Sequence, residues 1–322
     1  MGQKLSAMGK NWIKNTVRKQ NYRTFGTKVP SNIQRSVVYY GGILTILSEV
    51  PVLDRIKRNE RLAALTQMLT AEPNRIHTLS HFCEMFGAAK STLSEDIDIL
   101  GDVFSAFGLG KLDTVTGAAG GVRYRPCIER AKAAEFLQGL CEELQNPNRL
   151  LPGGYLYLSD ILSTPDLVRQ MGIIIAGEYY DTNPDFVLTM ETKGIPVALM
   201  TAQSLGVPLV IARRSSKVYE GSAVNINYLS GSDGHIETMC LSRRAVKEGQ
   251  RALIVDDFLK VGGTAKGMID LMSEFNVEVV GTAFVMETAH NANRVIRGEK
   301  ALMIMDDPPG GKLNIRPAEW LK

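Results

Sequence analysis

A pair of carboxylates followed by a glycine turn is the feature of this 322-residue chain that most clearly suggests chemistry. Asp256 and Asp257 follow the apolar residues 253–255, which predict a buried strand, and residues 262–264 (Gly-Gly-Thr) predict the start of a helix. Open α/β sheets bind ligands where their strands end, and a glycine turn offers backbone N–H groups to phosphate. Ionised carboxylates accept hydrogen bonds from vicinal sugar hydroxyls. The pattern therefore predicts a sugar-phosphate site; an acidic strand end that binds no ligand is the alternative.

The same segment resembles the binding loop of the type I phosphoribosyltransferase family, in which four apolar residues, two acids and several loop residues precede Gly-Gly-Thr. Residues 191–194 (Glu-Thr-Lys-Gly) stand in the place of that family's pyrophosphate loop, and Arg213 and Arg214 follow the next predicted strand. The resemblance implies phosphoribosyl pyrophosphate as the ligand, with Mg²⁺ held through the ligand and not by the protein. The residues that it assigns to the ligand are Asp256, Asp257, Phe258, Leu259, Lys260, Val261, Gly262, Gly263, Thr264, Thr192, Lys193 and Gly194.

The resemblance assigns different residues to each part of the ligand. Asp256 and Asp257 would bind the ribose hydroxyls, residues 260–264 the 5′-phosphate, and residues 192–194 the pyrophosphate. Adenine phosphoribosyltransferases usually have Ala-Thr before the two glycines, whereas this chain has Lys260 and Val261. Lysine adds a charge beside the phosphate and valine removes a hydroxyl, so we expect ligand binding without catalysis and assign no catalytic residue. An active purine phosphoribosyltransferase with an appended domain is the alternative.

Residues 58–126 have the pattern of three helices followed by a β-hairpin. Apolar residues at helical spacing predict helices over residues 60–69 and 79–86, and Gly87 gives the turn before a third helix. Two β-prone pieces flank a glycine turn at residues 114–125, which predicts a wing. The buried stripe of the third helix consists of Leu93, Ile97, Leu100 and Phe104. A winged helix-turn-helix domain is therefore predicted.

Such a domain contacts DNA through its recognition helix in the major groove and through its wing on the backbone or minor groove. The predicted DNA contacts are Lys90, Ser91 and Thr92 on the helix and Arg123, Tyr124 and Arg125 on the wing. Residues 61–126 contain six basic and seven acidic residues, so DNA affinity must come from the placement of charges or from dimerisation. A protein-interaction module is the alternative use of this fold.

Beyond residue 126, β-prone and helical segments alternate, which predicts a mostly parallel sheet flanked by helices. The segments are residues 186–189, 195–205, 208–212, 252–255, 265–275, 279–286 and 301–305. An interruption rich in Ser, Gly and Asn between Arg214 and Arg243 predicts a long mobile hairpin. The fold class is therefore α/β, with an N-terminal winged-helix domain (residues 58–126) and a C-terminal domain (residues 127–322) for which the resemblance implies the type I phosphoribosyltransferase fold.

Over residues 58 to about 290, the chain resembles the bacterial purine operon repressors, which join a winged helix to a phosphoribosyltransferase-like domain. The blocks that carry the likeness include residues 58–62, 89–96, 117–121, 151–155, 192–196, 216–221 and 256–260. The resemblance implies a homodimeric repressor of purine biosynthesis genes that binds double-stranded DNA and loses DNA affinity when phosphoribosyl pyrophosphate binds. A guanine nucleotide with additional phosphates is a further candidate for the same loop. A ligand-gated scaffold for another protein is the remaining alternative.

Residues 1–57 differ in composition, because residues 1–48 contain eight Lys or Arg and no acid. They predict a disordered basic extension, although the first residues match a loose myristoylation pattern and the composition resembles a transit peptide. The chain has 44% hydrophobic and 22% charged residues, and no apolar run is long enough for a membrane helix. The four cysteines form no C-x-x-C pair, which argues against a zinc site or a disulfide framework and favours a reducing cytoplasm.

Overall fold

The computed structural model describes residues 37–40, 43–46, 56–117, 120–151, 155–216, 221–230, 235–289, 293–306 and 313–321. Met1–Arg55 and Ile56–Lys322 are two compact units. In the first unit, β1 (Val37–Tyr40) pairs with β2 (Ile43–Ile46) in antiparallel orientation. The rest of the predicted basic extension lies outside the described residues except at its very end, and its disorder stays a prediction. None of the helices in the described residues combines the length and apolar character that crossing a membrane requires.

The predicted winged helix-turn-helix is confirmed. Its elements are α1 (Arg58–Ala71), α2 (Leu79–Phe86), α3 (Lys90–Phe107), β3 (Lys111–Val115) and β4 (Gly121–Arg125). Thr78 caps α2 by accepting a hydrogen bond from the His81 backbone N–H, and Gly87 ends α2 in the left-handed conformation that the turn requires. Strands β3 and β4 form the antiparallel wing.

One buried carboxylate holds the first and third helices of this domain together. Asp96 of α3 is fully buried and pairs with Arg61 of α1, while Arg58 donates through Nε to Asp96 Oδ1 at 2.9 Å. On the same buried side of α3, the predicted stripe packs in one cluster with Leu65 and Phe82. The recognition helix is therefore positioned by both apolar packing and a buried ion pair.

The C-terminal domain is built on a six-stranded sheet with the order β14-β13-β12-β11-β7-β8. Its elements are α4 (Arg130–Leu144), β5 (Leu150–Leu151), β6 (Tyr155–Leu156), α5 (Ser159–Leu162), α6 (Pro165–Tyr179), β7 (Phe186–Met190), α7 (Ile195–Leu205), β8 (Leu209–Ala212), β9 (Ala223–Ser230), β10 (His235–Ser242), β11 (Arg251–Leu259), α8 (Gly263–Glu274), β12 (Glu278–Thr288), β13 (Lys300–Asp306) and β14 (Asn314–Pro317). Short 3-10 helices lie at Pro147–Arg149, Tyr180–Thr182 and Glu319–Leu321.

All pairs in this sheet are parallel except the one between β13 and β14, which confirms the predicted mostly parallel sheet. Side chains alternate between its two faces, as the period of a strand requires. Phe186, Leu188 and Met190 face a core shared with α8 and the β9–β10 hairpin, whereas Val187 faces a core shared with α6 and α7. Strands β9 and β10 pair in antiparallel orientation along their whole length, so the predicted hairpin is present, and its mobility stays a prediction.

Replacing the carboxylate that joins α1 to α3 tests its structural role. We expect Asp96→Asn to lower the free energy of unfolding by about 3–5 kcal/mol, because Arg61 would remain buried without its charge partner. Glu95→Gln is the matched control: Glu95 also pairs with Arg58, but it is exposed, and we expect a change below about 1 kcal/mol. Urea unfolding followed by circular dichroism measures both, and equal losses would contradict the assignment.

Candidate ligand site and DNA-binding surface

Both predicted carboxylates lie at the carboxyl end of β11. Asp256 is opposite Phe284 of β12, and β11 continues to Leu259 before the loop that leads into α8. Asp256 is buried and Asp257 is half-buried, and the Asp257 backbone N–H donates to Asp256 Oδ1 at 3.0 Å. Neighbouring parallel strands end at the same edge of the sheet, so a ligand there meets residues from several strands.

Burial strongly affects the protonation of this pair. Burial raises the pKa of Asp256 well above its ordinary value, and the negative charge of Asp257 raises it further. Burial also raises the pKa of Asp257, although hydrogen bonding to Asp256 and the positive charge of Lys193 oppose this. The two carboxyl groups therefore titrate together, and hydroxyl donors on a ligand would replace the hydration that they have lost.

The glycine turn leaves the N-terminus of α8 uncapped. Gly262 has a φ of 93°, in the left-handed region that favours glycine. The first helical hydrogen bond runs from the Lys266 N–H to the Gly262 carbonyl at 2.8 Å, so the N–H groups of residues 263–265 have no partner within the helix. No side chain in the described part of the chain caps this helix. These N–H groups and the helix dipole are available to an anion.

The loop predicted to hold the pyrophosphate lies beside the carboxylates. It follows β7, contains a cis peptide bond between Glu191 and Thr192, and leads into α7 through Gly194. A β-carbon on Gly194 would lie 2.0 Å from Asp256 Oδ1 and 2.6 Å from Thr189 Oγ1, so only glycine fits. Thr189 is buried, and its hydroxyl has no hydrogen-bond partner among the described residues. The structure thus brings the two predicted loops together around an unpartnered hydroxyl.

A cavity of about 140 Å³ lies at the glycine turn, lined by Asp256, residues 258–265 and Phe284. Because sites for whole ligands usually occupy roughly 300–1,000 Å³, this cavity matches one group of a larger ligand, such as a phosphate. A second cavity of about 420 Å³ lies along β8 beside Arg213 and Arg244. Its described lining contains no carboxylate and no glycine turn, so it lacks the chemistry predicted for a sugar phosphate.

The side chains of Phe258 and Leu259 take part in the packing of the C-terminal domain. The Leu259 side chain is buried against Phe284 and Ile296, and the Phe258 side chain packs against the main core of the C-terminal domain. Both residues also border the cavity at the glycine turn, and their contact with a ligand stays a prediction. Lys260 is exposed beside the cavity, and Val261 is half-buried with its carbonyl accepting a hydrogen bond from the Val295 N–H at 3.0 Å.

The β9–β10 hairpin covers the glycine turn, a relation that sequence analysis missed. A β-carbon on Gly263 would lie 1.8 Å from the Leu229 carbonyl oxygen, so this glycine accommodates the hairpin. The Tyr228 hydroxyl donates to Glu237 Oε2 at 2.7 Å and is hydrogen-bonded to Thr264, the residue predicted to contact phosphate. Burial and the neighbouring Glu237 raise the pKa of Tyr228 to about 12. Tyr228 and Glu237 are therefore additional residues of the candidate site.

The recognition helix presents its predicted contacts to solvent. Lys90 is the first residue of α3; it and Ser91 are exposed, and Thr92 is half-buried. Further along the helix, the exposed charged residues are acidic, namely Glu95, Asp98 and Asp102. A phosphate backbone would therefore be attracted to the first turn and repelled by the rest of this helix face.

Tyr124 was wrongly predicted as a DNA contact. Its side chain is only 8% exposed and packs edge-on against Phe104, with ring centroids 5.4 Å apart. Its hydroxyl donates to the Leu109 carbonyl at 2.7 Å. Neighbouring residues of a strand point to opposite faces, so Tyr124 faces the core while Arg123 and Arg125 face away from it.

The Arg125 side chain makes several contacts within the protein, and its contact with DNA stays a prediction. Its side chain is 15% exposed, with Nε 3.2 Å from Asp113 Oδ2 and the guanidinium 4.8 Å from the ring centroid of Tyr180 in the C-terminal domain. It therefore packs in the junction between the two domains. Arg123 lies on the same face, with Nε 3.4 Å from Asp113 Oδ2 and its side chain 20% exposed, and its contact with DNA stays a prediction.

The buried carboxylate pair predicts how stability depends on pH. A carboxyl group whose pKa is raised in the folded state binds more protons there than in the unfolded state, so stability falls as pH rises. We expect Asp256→Asn to raise the melting temperature of the ligand-free protein at pH 8, with the difference disappearing near pH 4, about the unfolded pKa. Thermal denaturation across this range measures it. The control is Asp270→Asn, which removes an exposed partner of Lys266; a less stable Asp256→Asn protein at pH 8 would contradict the prediction.

Known proteins resemble this chain in both domains. The family model described as "Bacterial purine repressor, N-terminal" matches residues 57–126, and the one described as "Phosphoribosyl transferase domain" matches residues 158–304. The xanthine phosphoribosyltransferase of Deinococcus deserti is 29% identical over 162 residues, which cover 49% of this chain and 84% of that protein.

Two regulators are more similar. The purine biosynthesis transcriptional repressor PurR of Bacillus subtilis is 44% identical over 251 residues, which cover 78% of this chain and 88% of that protein. The purine biosynthesis transcriptional activator PurR of Lactococcus lactis subsp. lactis is also 44% identical over 251 residues, which cover 93% of that protein. The chain therefore belongs to the bacterial purine repressor family, the PurR transcriptional regulators of purine biosynthesis.

Proposed function

We propose that this protein represses purine biosynthesis genes and that its C-terminal domain binds phosphoribosyl pyrophosphate, which lowers its affinity for DNA. The observation that carries the proposal is the meeting of three groups at one edge of the sheet. The Asp256 and Asp257 carboxylates, the uncapped N-terminus of α8 and the loop ending at Gly194 lie together there. Their chemistry matches the ribose hydroxyls, the 5′-phosphate and the pyrophosphate of that ligand.

The charges around the site also favour a phosphorylated ligand. The positive charge of Lys193 opposes the rise in the pKa of Asp257, and Lys260 lies at the glycine turn. Two lysines are therefore near the places proposed for phosphates. The described residues contain no group of three or more His, Cys, Asp or Glu that could hold a metal ion. In this proposal, Mg²⁺ is held through the pyrophosphate of the ligand.

Ligand binding would control DNA binding through linkage. If phosphoribosyl pyrophosphate binds better to the DNA-free protein, it lowers the affinity of the protein for DNA. Bound DNA then lowers the affinity of the protein for phosphoribosyl pyrophosphate by the same factor. We propose that two copies bind together, since a single small module buries little DNA surface and this one has few basic residues. A guanine nucleotide with additional phosphates would compete for the same N–H groups of α8.

Catalysis is the second candidate, because a xanthine phosphoribosyltransferase is among the related proteins. Against it, Val261 supplies no hydroxyl beside the phosphate, and Lys260 adds a charge there. Purified protein incubated with phosphoribosyl pyrophosphate, Mg²⁺ and adenine, guanine, hypoxanthine or xanthine tests this candidate. Nucleotide formation would favour an enzyme, whereas binding without nucleotide formation supports an effector site.

Removing one carboxylate separates the two binding activities. We expect Asp257→Ala to weaken binding of phosphoribosyl pyrophosphate by at least about tenfold, because hydrogen bonds to a charged group are lost. Its affinity for a purine-operon DNA fragment without the ligand should not change. Calorimetry with Mg²⁺ present measures the first quantity and a gel shift the second, with Asp270→Ala, on the exposed face of α8, as the control. Equal release of DNA by the ligand from variant and parent would contradict the assignment.

Removing the charge at the start of the recognition helix is the second test. We expect Lys90→Ala to weaken DNA binding and to reduce the slope of log affinity against log salt concentration by about one, as the loss of one phosphate contact does. Fluorescence anisotropy at several salt concentrations measures this slope. Lys132→Ala removes an exposed lysine from α4 and should leave the slope unchanged. An unchanged slope in Lys90→Ala would show that Lys90 contacts no phosphate.

A further inference from the structure

Helix α7 connects the candidate ligand site to the winged-helix domain. It begins after Gly194, whose backbone lies so close to the Asp256 carboxylate that no β-carbon fits between them. It has 11 residues and is therefore about 16 Å long. One side of α7 is buried in the core of the C-terminal domain through Val197, Ala198 and Ala202. A displacement of its first turn is therefore expected to move the whole helix.

The other end of α7 contacts the winged-helix domain directly. Gly206 ends the helix with a φ of 69°, and a β-carbon there would lie 2.4 Å from the carbonyl oxygen of Pro73, in the connection between α1 and α2. The last carbonyl groups of a helix have no partner within it. Here the Leu205 carbonyl accepts a hydrogen bond from Asn74 Nδ2 at 2.8 Å, so a side chain from the other domain binds the end of α7.

Asn74 in turn holds the wing. Its backbone N–H donates to the Tyr124 carbonyl at 2.6 Å, and its Oδ1 accepts from Arg125 Nε at 3.2 Å. A guanidinium only donates and a carbonyl only accepts, so the Asn74 amide satisfies both neighbours in one orientation. Asn74 is thus bonded to α7 on one side and to β4 on the other. The same junction contains a contact through Tyr180, whose hydroxyl donates to the Pro126 carbonyl at 2.8 Å.

We propose that Asn74 is the positioning residue that couples ligand binding at Asp256 and Gly194 to the placement of the wing. This inference rests on the proposed function and adds the residues through which ligand binding would affect the wing. A ligand that moves the Gly194 backbone against Asp256 shifts α7, and the Leu205 carbonyl carries that shift to the Asn74 amide. Asn74 then moves β4, the strand that carries Arg123. Asn74 touches neither the ligand nor DNA in this route, so its loss should affect the coupling between the two sites more than either affinity.

Two substitutions of Asn74 separate its contact with α7 from its contact with Arg125. Asn74 has a φ of 60°, which glycine also adopts without strain, so Asn74→Gly removes both side-chain contacts and keeps the turn. Asn74→Asp still accepts from Arg125, but it places an acceptor against the Leu205 carbonyl and breaks only the contact with α7. Asn276→Gly is the matched control, because Asn276 has a φ of 53° and its side chain bonds to Glu248 within the C-terminal domain.

The measured quantity is the coupling factor, the ratio of the DNA dissociation constants with and without saturating phosphoribosyl pyrophosphate and Mg²⁺. Fluorescence anisotropy of the full chain on a purine-operon fragment at fixed salt gives this ratio, and calorimetry gives the ligand affinity without DNA. We expect both Asn74 variants to bind the ligand as the parent does, with a coupling factor about 2- to 30-fold closer to one. Asn276→Gly should couple like the parent.

Each outcome decides between the two proposals. Parent-like coupling in both Asn74 variants overturns the route through Asn74 while leaving the proposed function standing. A parent protein whose DNA affinity does not respond to the ligand overturns the proposed function and the route with it. Hydrogen exchange in the unmodified protein is independent of how the variants fold. The ligand should alter exchange at residues 206–207 and in β4, and no change at either place would also overturn the route.

Discussion

The contact between the Gly194 backbone and the Asp256 carboxylate is the constraint on which the ligand site depends. Strands β7 and β11 are parallel neighbours, with Leu188 opposite Ile254, so both strands leave the sheet at the same edge. The loop after β7 must then pass close to the Asp256 carboxylate, and only glycine fits at this distance. A ligand that reaches Asp256 therefore meets the start of α7 as well.

Several features of this site work against the stability of the folded chain. A carboxylate is buried beside another, the N-terminus of α8 lacks a cap, and the Thr189 hydroxyl has no partner among the described residues. Each is a polar group that a purely structural sequence would pair or replace, since unsatisfied buried groups cost free energy. Their concentration at one sheet edge is typical of a site whose partners arrive with a ligand.

The sequence predicted those parts of the protein whose signal is local. The carboxylates, the glycine turn and the first residues of the helix after it lie within nine residues, and the stripe of α3 follows a simple period. The prediction of Tyr124 as a DNA contact is wrong because the alternation of a strand turns this side chain inward between Arg123 and Arg125. Helix α6 was missed because its run of three isoleucines, residues 173–175, is apolar and β-branched and is typical of a buried strand.

Arg125 shows why the rest was beyond sequence reasoning. Its position in a basic hairpin indicates DNA contact, but its partners, Asn74 in the same domain and Tyr180 across the junction, are 51 and 55 residues away in the sequence. With this charge used in the junction, the wing offers DNA less positive charge than its composition suggests. In the proposed dimer, DNA affinity would then depend more on how the two wings are placed relative to the DNA than on the contacts of one wing. Under the proposed function, a ligand that alters the placement of the wings through the junction would therefore change the affinity for DNA.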